Sequence, residues 1–206
     1  MTVTTDLLPL APTDGAHDGP QLCVRRGGPG DHFRLGFVDE RPGHRDLRDV
    51  LWDPTAPAEQ RAFMLYLTCV MCGQPVRQIH STRPKVRPGL LFLVPGGADT
   101  SQSVRTVLPP VCLAHARIAA RESAALQHGH TALLVARHRL HGVIGTRYRW
   151  AGHQVQQLPP APETDALPVP YGSYNARWTL ARLLVRELTE HTAVDLDDSA
   201  HLAEAP

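Results

Sequence analysis

Lysine is nearly absent from this chain: Lys85 stands alone, and arginine supplies the rest of the positive charge, a bias that also fits a GC-rich genome. Aromatic residues make up only 5% of the 206 residues, so any core must be filled mainly by aliphatic side chains. No apolar run approaches the roughly 20 residues that a membrane-spanning helix needs. The N-terminal stretch has no basic segment leading into an apolar one, so a secretory signal is not expected. Of the four cysteines three fall into a metal-type pattern that leaves Cys23 alone, which suits a reducing compartment better than a disulfide framework. A reducing, cytoplasmic setting is expected. Common catalytic signatures are missing too: there is no H-E-x-x-H pair, no G-x-S-x-G elbow and no G-x-x-x-x-G-K-[ST] loop. The run Gly27-Gly28-Pro29-Gly30 therefore reads as a hairpin turn, and an enzyme is the less expected class.

What is present centres on residues 67–115. Cys69 and Cys72 form a C-x-x-C pair and Cys112 and His115 a C-x-x-H pair, with room for a β-hairpin between them. Zinc takes four such ligands in a tetrahedron, and three thiolates with one imidazole supply them. Gly73 permits the positive φ that a tight knuckle needs, and Pro75 then starts an extended segment. Residues three apart in the first turn of a helix share a face, so Cys112 and His115 converge if a helix begins near Pro110. The competing reading is a redox or buried Cys69–Cys72 pair. No βαβ pattern surrounds it, which disfavours a thioredoxin-like motif. His80 is the nearest rival ligand, with an exposed strand-end histidine as its plainer reading.

Knuckle, hairpin and ligand-bearing helix resemble the treble-clef zinc finger over residues 67–128. The resemblance is to a fold group with many functions, and it implies one structural zinc ion per chain held by Cys69, Cys72, Cys112 and His115. Some treble-clef proteins are nucleases with a His-Asn pair on the finger. Here His80 has no matching partner, so a nuclease or other hydrolase is not carried over.

Around this centre the pattern predicts an α+β fold, with short antiparallel strands and three or four helices. Residues 1–20 read as a disordered arm, 21–158 as the zinc-containing core, 159–170 as a proline-rich linker, and 195–206 as an acidic disordered tail. Strands are expected at 76–80, 90–94, 104–108, 131–136, 143–150 and 154–158, with 137–142 as a turn. A short helix or turn is expected at 46–52, and helices at 56–67 (capped by Thr55), 111–127 and 176–191, the last an amphipathic C-terminal helix within 171–194.

Charge is segregated. Residues 60–150 carry twelve Lys/Arg against two acids, a net +10, while 1–59 carry −4 and 151–206 carry −5. Arg77, Arg83, Lys85, Arg87 and Arg105 fall on or beside the expected hairpin, and Arg117 and Arg121 on the following helix. Arginine forks suit phosphate, so salt-sensitive binding of DNA or RNA is the leading functional reading. Two alternatives stay open: the basic segment pairs with the chain's own acidic flanks, or the protein is an adaptor or homo-oligomer working through its C-terminal helix. Nothing points to a membrane partner.

Overall fold

The computed structural model describes residues 50–53, 56, 58–97, 101–150, 155–161, 166–198 and 200–205. The expected N-terminal arm, the hairpin around residues 27–30, Cys23 and the Thr55 cap lie outside them. Among the described residues strand dominates: nine strands accompany two α-helices, α1 (Ala58–Tyr66) and α2 (Leu113–Glu122). This corrects the expected α+β architecture with three or four helices.

The largest correction is at the C-terminus. The stretch expected to be an amphipathic helix is instead strand β8 (Thr179–Val194). Five consecutive residues from Leu184 to Leu188 are buried, so both faces of the strand are covered and the period-2 signal vanishes. Such a run imitates the wide apolar stripe of a helix, while Thr179, Val185, Thr189, Thr192 and Val194 supply the β-branched character. The helical adaptor surface therefore does not exist.

The second correction is a strand that does not turn. Residues 137–142 are not a loop but the middle of β5 (His130–Trp150). Gly142 suggested a turn, yet its role is close approach. A Cβ there would lie 2.0 Å from the Val169 carbonyl oxygen of strand β7 (Val169–Pro170), which pairs with Gly142 and Val143. The remaining strands are β1 (Leu51–Trp52), β2 (Ile79–Ser81), β3 (Leu90–Pro95), β4 (Val104–Thr106), β6 (Val155–Gln157) and β9 (Leu202–Glu204). Trp52 thus lies in a strand rather than in the short helix or turn expected at 46–52, of which residues 46–49 lie outside the described residues. The main sheet runs in the order β1-β8-β5-β3, with β4 also on β8 and both β6 and β7 on β5.

The chain divides into two compact units, Met1–Ala56 with Gly142–Leu183 and Pro57–His141 with Leu184–Pro206. In the first, β1 lies parallel to β8 at Leu180 and Ala181, and Val143, Trp178 and Ala181 are buried. Tyr148 in this unit is held above the usual phenol range by burial and by the nearby Asp53 carboxylate.

The second unit contains the metal-type motif. Here β3 pairs antiparallel with β5 from Leu90↔Val135 to Pro95↔His130, and every residue from Leu90 to Val94 is buried. One face of this pair, with Leu91, Leu93 and Leu134, packs against Ala116 and Ala119 of α2 and against Cys69. The opposite face, with Leu90, Phe92 and Val135, packs against Leu188. Gln60 of α1 donates to the Leu184 carbonyl at 2.9 Å and accepts from its N–H at 3.0 Å, so a helix side chain stands in for a strand neighbour. The tail expected to be disordered is ordered by β9, which pairs with β2 while Leu196 and Leu202 join the core. No helix among the described residues is long and apolar enough to cross a membrane.

Candidate metal centre

The site is assembled by three backbone devices. Helix α1 ends at Tyr66, and Leu67 takes a positive φ of 54° that turns the chain into the knuckle. The knuckle is closed by Cys69 N–H to the Gln74 carbonyl (2.8 Å) and Gly73 N–H to the Cys69 carbonyl (2.7 Å). Gly73 has φ +68°, the left-handed conformation that glycine adopts without a steric penalty. On the other side, Val111 N–H donates to Leu91 O at 2.9 Å and so hangs the start of α2 from strand β3. Cys112 then occupies the N-cap with extended φ and ψ, and its side chain caps no backbone amide. That leaves its sulfur free to face the knuckle.

These devices bring all four expected ligands together. The donor atoms of Cys69, Cys72, Cys112 and His115 lie within 4.8 Å of one another. Cys69 Sγ is 3.6 Å from Cys112 Sγ and 3.8 Å from His115 Nδ1, while Cys112 Sγ is 2.8 Å from that nitrogen. In a tetrahedron with metal–sulfur bonds of about 2.3 Å and metal–nitrogen bonds of about 2.0 Å the sulfur–sulfur edge is about 3.8 Å and the sulfur–nitrogen edge about 3.5 Å, so two of these separations are within about 0.3 Å of the required length. Cys69 is buried and Cys72 is exposed at the knuckle tip. His80 sits on β2, exposed and opposite Ala203, outside the group.

The electrostatics show what the group lacks. Burial pushes the Cys69 thiol up, but backbone amides of Cys112, Cys72 and Met71 outweigh it and bring it down to about 7. Burial also pushes Cys112 up, reinforced by the sulfurs of Cys69 and Cys72, to about 12. Cys69 and Cys112, 3.6 Å apart, therefore oppose each other's ionisation. The donor set could hold a metal ion.

The seven basic residues expected to form one patch do not gather into one. Arg83 pairs with Asp198, and Arg117 Nε donates to the Leu196 carbonyl at 2.8 Å. Arg121 lines a cleft with Asp195 and Asp197, and Arg77 Nη1 is 3.5 Å from the Ala205 carbonyl. These four face the returning acidic tail, while Lys85 lies exposed in the loop after β2 with a positive φ of 69°. Arg87 pairs with Glu190 at 2.6 Å and Arg105 with Glu187 at 3.6 Å, both carboxylates on β8. Charge counting alone missed Glu187, Arg139 and Arg137, because β8 and the middle of β5 were read as a helix and a turn. It also missed Glu204, whose carboxylate accepts from the Leu113 N–H at 2.7 Å and caps the helix carrying Cys112 and His115.

No family model, curated protein or solved structure matches the chain. The functional reading therefore rests on geometry.

Proposed function

We propose that Cys69, Cys72, Cys112 and His115 hold one structural zinc ion, and that the protein is a non-enzymatic nucleic-acid-binding protein whose second unit is organised by that ion. Convergence of four soft or borderline donors, three of them sulfur, carries the zinc assignment. Four protein ligands close the coordination sphere and leave no position for substrate, so the ion folds the module and does no chemistry. Knuckle, strands β2 and β3 and a helix whose first turn carries ligands follow in the chain order of a treble-clef finger, but β2 pairs with β9 and β3 with β5, and the expected hairpin is reduced to the Ile79–Gly89 bridge.

The nucleic-acid reading is supported by exposed guanidinium groups that outnumber the carboxylates they pair with on β8 among the described residues. Arg87 and Arg137 share Glu190, and Arg105 and Arg139 share Glu187, so each carboxylate leaves one positive charge over. Metal analysis should return about one zinc per chain for the natural protein and well under one for Cys72→Ser. Fluorescence anisotropy with unrelated DNA and RNA oligonucleotides should show binding that weakens steeply with salt. Absence of zinc would overturn the first assignment, and absence of binding at low salt the second.

A further inference from the structure

Glu187 is an unusual residue for the middle of a strand: its side chain is only 6% exposed, yet it is ionisable. Its cations come from both neighbouring strands. Arg105 on β4 is its register partner, with Nε 3.6 Å from Oε1, and Arg139 on β5 places Nε and Nη2 each 2.7 Å from Oε2. Ser103 Oγ adds a hydrogen bond at 3.3 Å, and His141 Nδ1 lies 4.0 Å away. The arginines themselves remain outside, with 51% of the Arg105 side chain and 72% of Arg139 exposed.

A buried carboxylate beneath two exposed guanidiniums orients them. Arginine has five N–H donors in a rigid fork. Arg139 uses two of its donors on Glu187, which leaves three directed elsewhere on a group whose rotation is stopped. Exposed pairs behave differently. Arg83 and Asp198 are both half-exposed or more, so water competes for both partners and little is fixed. Glu190, three residues along β8, also contacts two arginines, Arg87 and Arg137, but its side chain is 35% exposed and its odd offset from Glu187 places it on the other face of the strand, so it is not a second copy of the arrangement.

We propose that Arg105 and Arg139, held by Glu187, form a phosphodiester-binding site for nucleic acid. The inference rests on the nucleic-acid reading above and locates it on β4, β5 and β8 rather than on the finger loop. Glu187 is the positioning residue and the arginines make the contact. Anionic lipid is the poorer fit. None of the exposed large apolar side chains among the described residues lies on these three strands, so the face offers nothing to insert into a bilayer.

The test uses the full zinc-loaded chain, a labelled single-stranded oligonucleotide and a salt series. Arg105→Gln with Arg139→Gln should weaken binding about tenfold or more, as loss of charged hydrogen bonds does. It should also reduce the slope of log K against log salt by about 1.4, at ~0.7 per arginine lost on a single strand. Glu187→Gln adds a positive charge, so unpositioned arginines would bind more tightly, whereas the site predicts weaker binding. Arg139→Lys keeps charge and surface but loses the fork, and it must also weaken binding. It decides the matter if Glu187→Gln melts early. Unchanged binding in the double variant, with loss in Arg83→Gln or Lys85→Gln, overturns this site and leaves nucleic-acid binding standing. Tighter binding by Glu187→Gln, or a natural protein that binds only vesicles of anionic phospholipid, overturns it as well. No binding of any oligonucleotide at low salt overturns both readings.

Discussion

The metal centre and the Glu187 cluster solve opposite halves of one electrostatic problem. At the knuckle, donors that become negative are crowded together, with Cys69 Sγ 3.6 Å from Cys112 Sγ, and no side chain in the group supplies the balancing charge. Around Glu187 the balancing charges belong to the chain, brought in by the register of three adjacent strands. The first arrangement could be completed by a metal ion. The second is complete once the sheet forms. Stability of the second unit should therefore divide into a metal-dependent part and a part indifferent to metal.

Chelation should separate the two parts most sharply. Removing the ion, or changing Cys69→Ser, should expose amides in residues 67–80 and 111–122 to hydrogen exchange, since a structural zinc contributes around 10 kcal/mol of apparent binding free energy to a finger. Amides of β5 and β8 should keep more of their protection. Uniform loss throughout the unit would erase the distinction. Next in size is Glu187→Ala, which leaves Arg105 and Arg139 without their carboxylate. Because both arginines are largely exposed, a destabilisation of about 1–3 kcal/mol in denaturant melts is expected, with zinc content unchanged.

Acid should act on the sheet cluster in a defined direction. A hydrogen bond from Arg139 holds Glu187 below the usual carboxylate range, so its stabilisation is present above the ordinary pKa of about 4.3 and is lost as pH falls further. Burial, with Arg186 beside it, holds His138 below the usual imidazole range. Its Nδ1 faces Arg186 Nη1 at 2.9 Å, an arrangement that suits the neutral ring accepting a hydrogen bond. Unfolded His138 takes up a proton below about 6.5 while the folded ring resists, so stability should begin to fall there before Glu187 titrates. Thermal melts of His138→Gln should be flatter between pH 7 and 5, and an equally steep profile would contradict this. The smallest effect belongs to Glu204→Gln. Losing a carboxylate at the N-terminus of α2 should cost about 0.3–1 kcal/mol and loosen metal affinity slightly, because that turn presents Cys112 and His115.

The same contrast decides what could be read in advance. Cys69, Cys72, Cys112 and His115 were legible because each pair is local: a knuckle of five residues and one helical turn set the directions of the donors. Helix α1 and strand β3 were legible for a similar reason, from a breaker-bounded segment and an apolar run. Strand β8 was not, because burial on both sides from Leu184 to Leu188 removes the alternation that marks a strand. Gly142 misled in the other direction. Its missing side chain admits the Val169 carbonyl of a strand distant in sequence, which no local pattern records. Glu187 with Arg105 and Arg139 is legible only once the sheet order is known. The pairing of Arg83 with Asp198 likewise waits on β9 returning to β2.

Titration with cobalt(II) in place of zinc, followed by visible absorption, tests the centre most directly, because tetrahedral thiolate coordination gives the ion intense bands that octahedral water does not. The account predicts saturation at about one cobalt per chain, with bands displaced by zinc and diminished in each of Cys69→Ser, Cys72→Ser, Cys112→Ser and His115→Gln. A weak octahedral spectrum, or bands unchanged in any of those four variants, would contradict it.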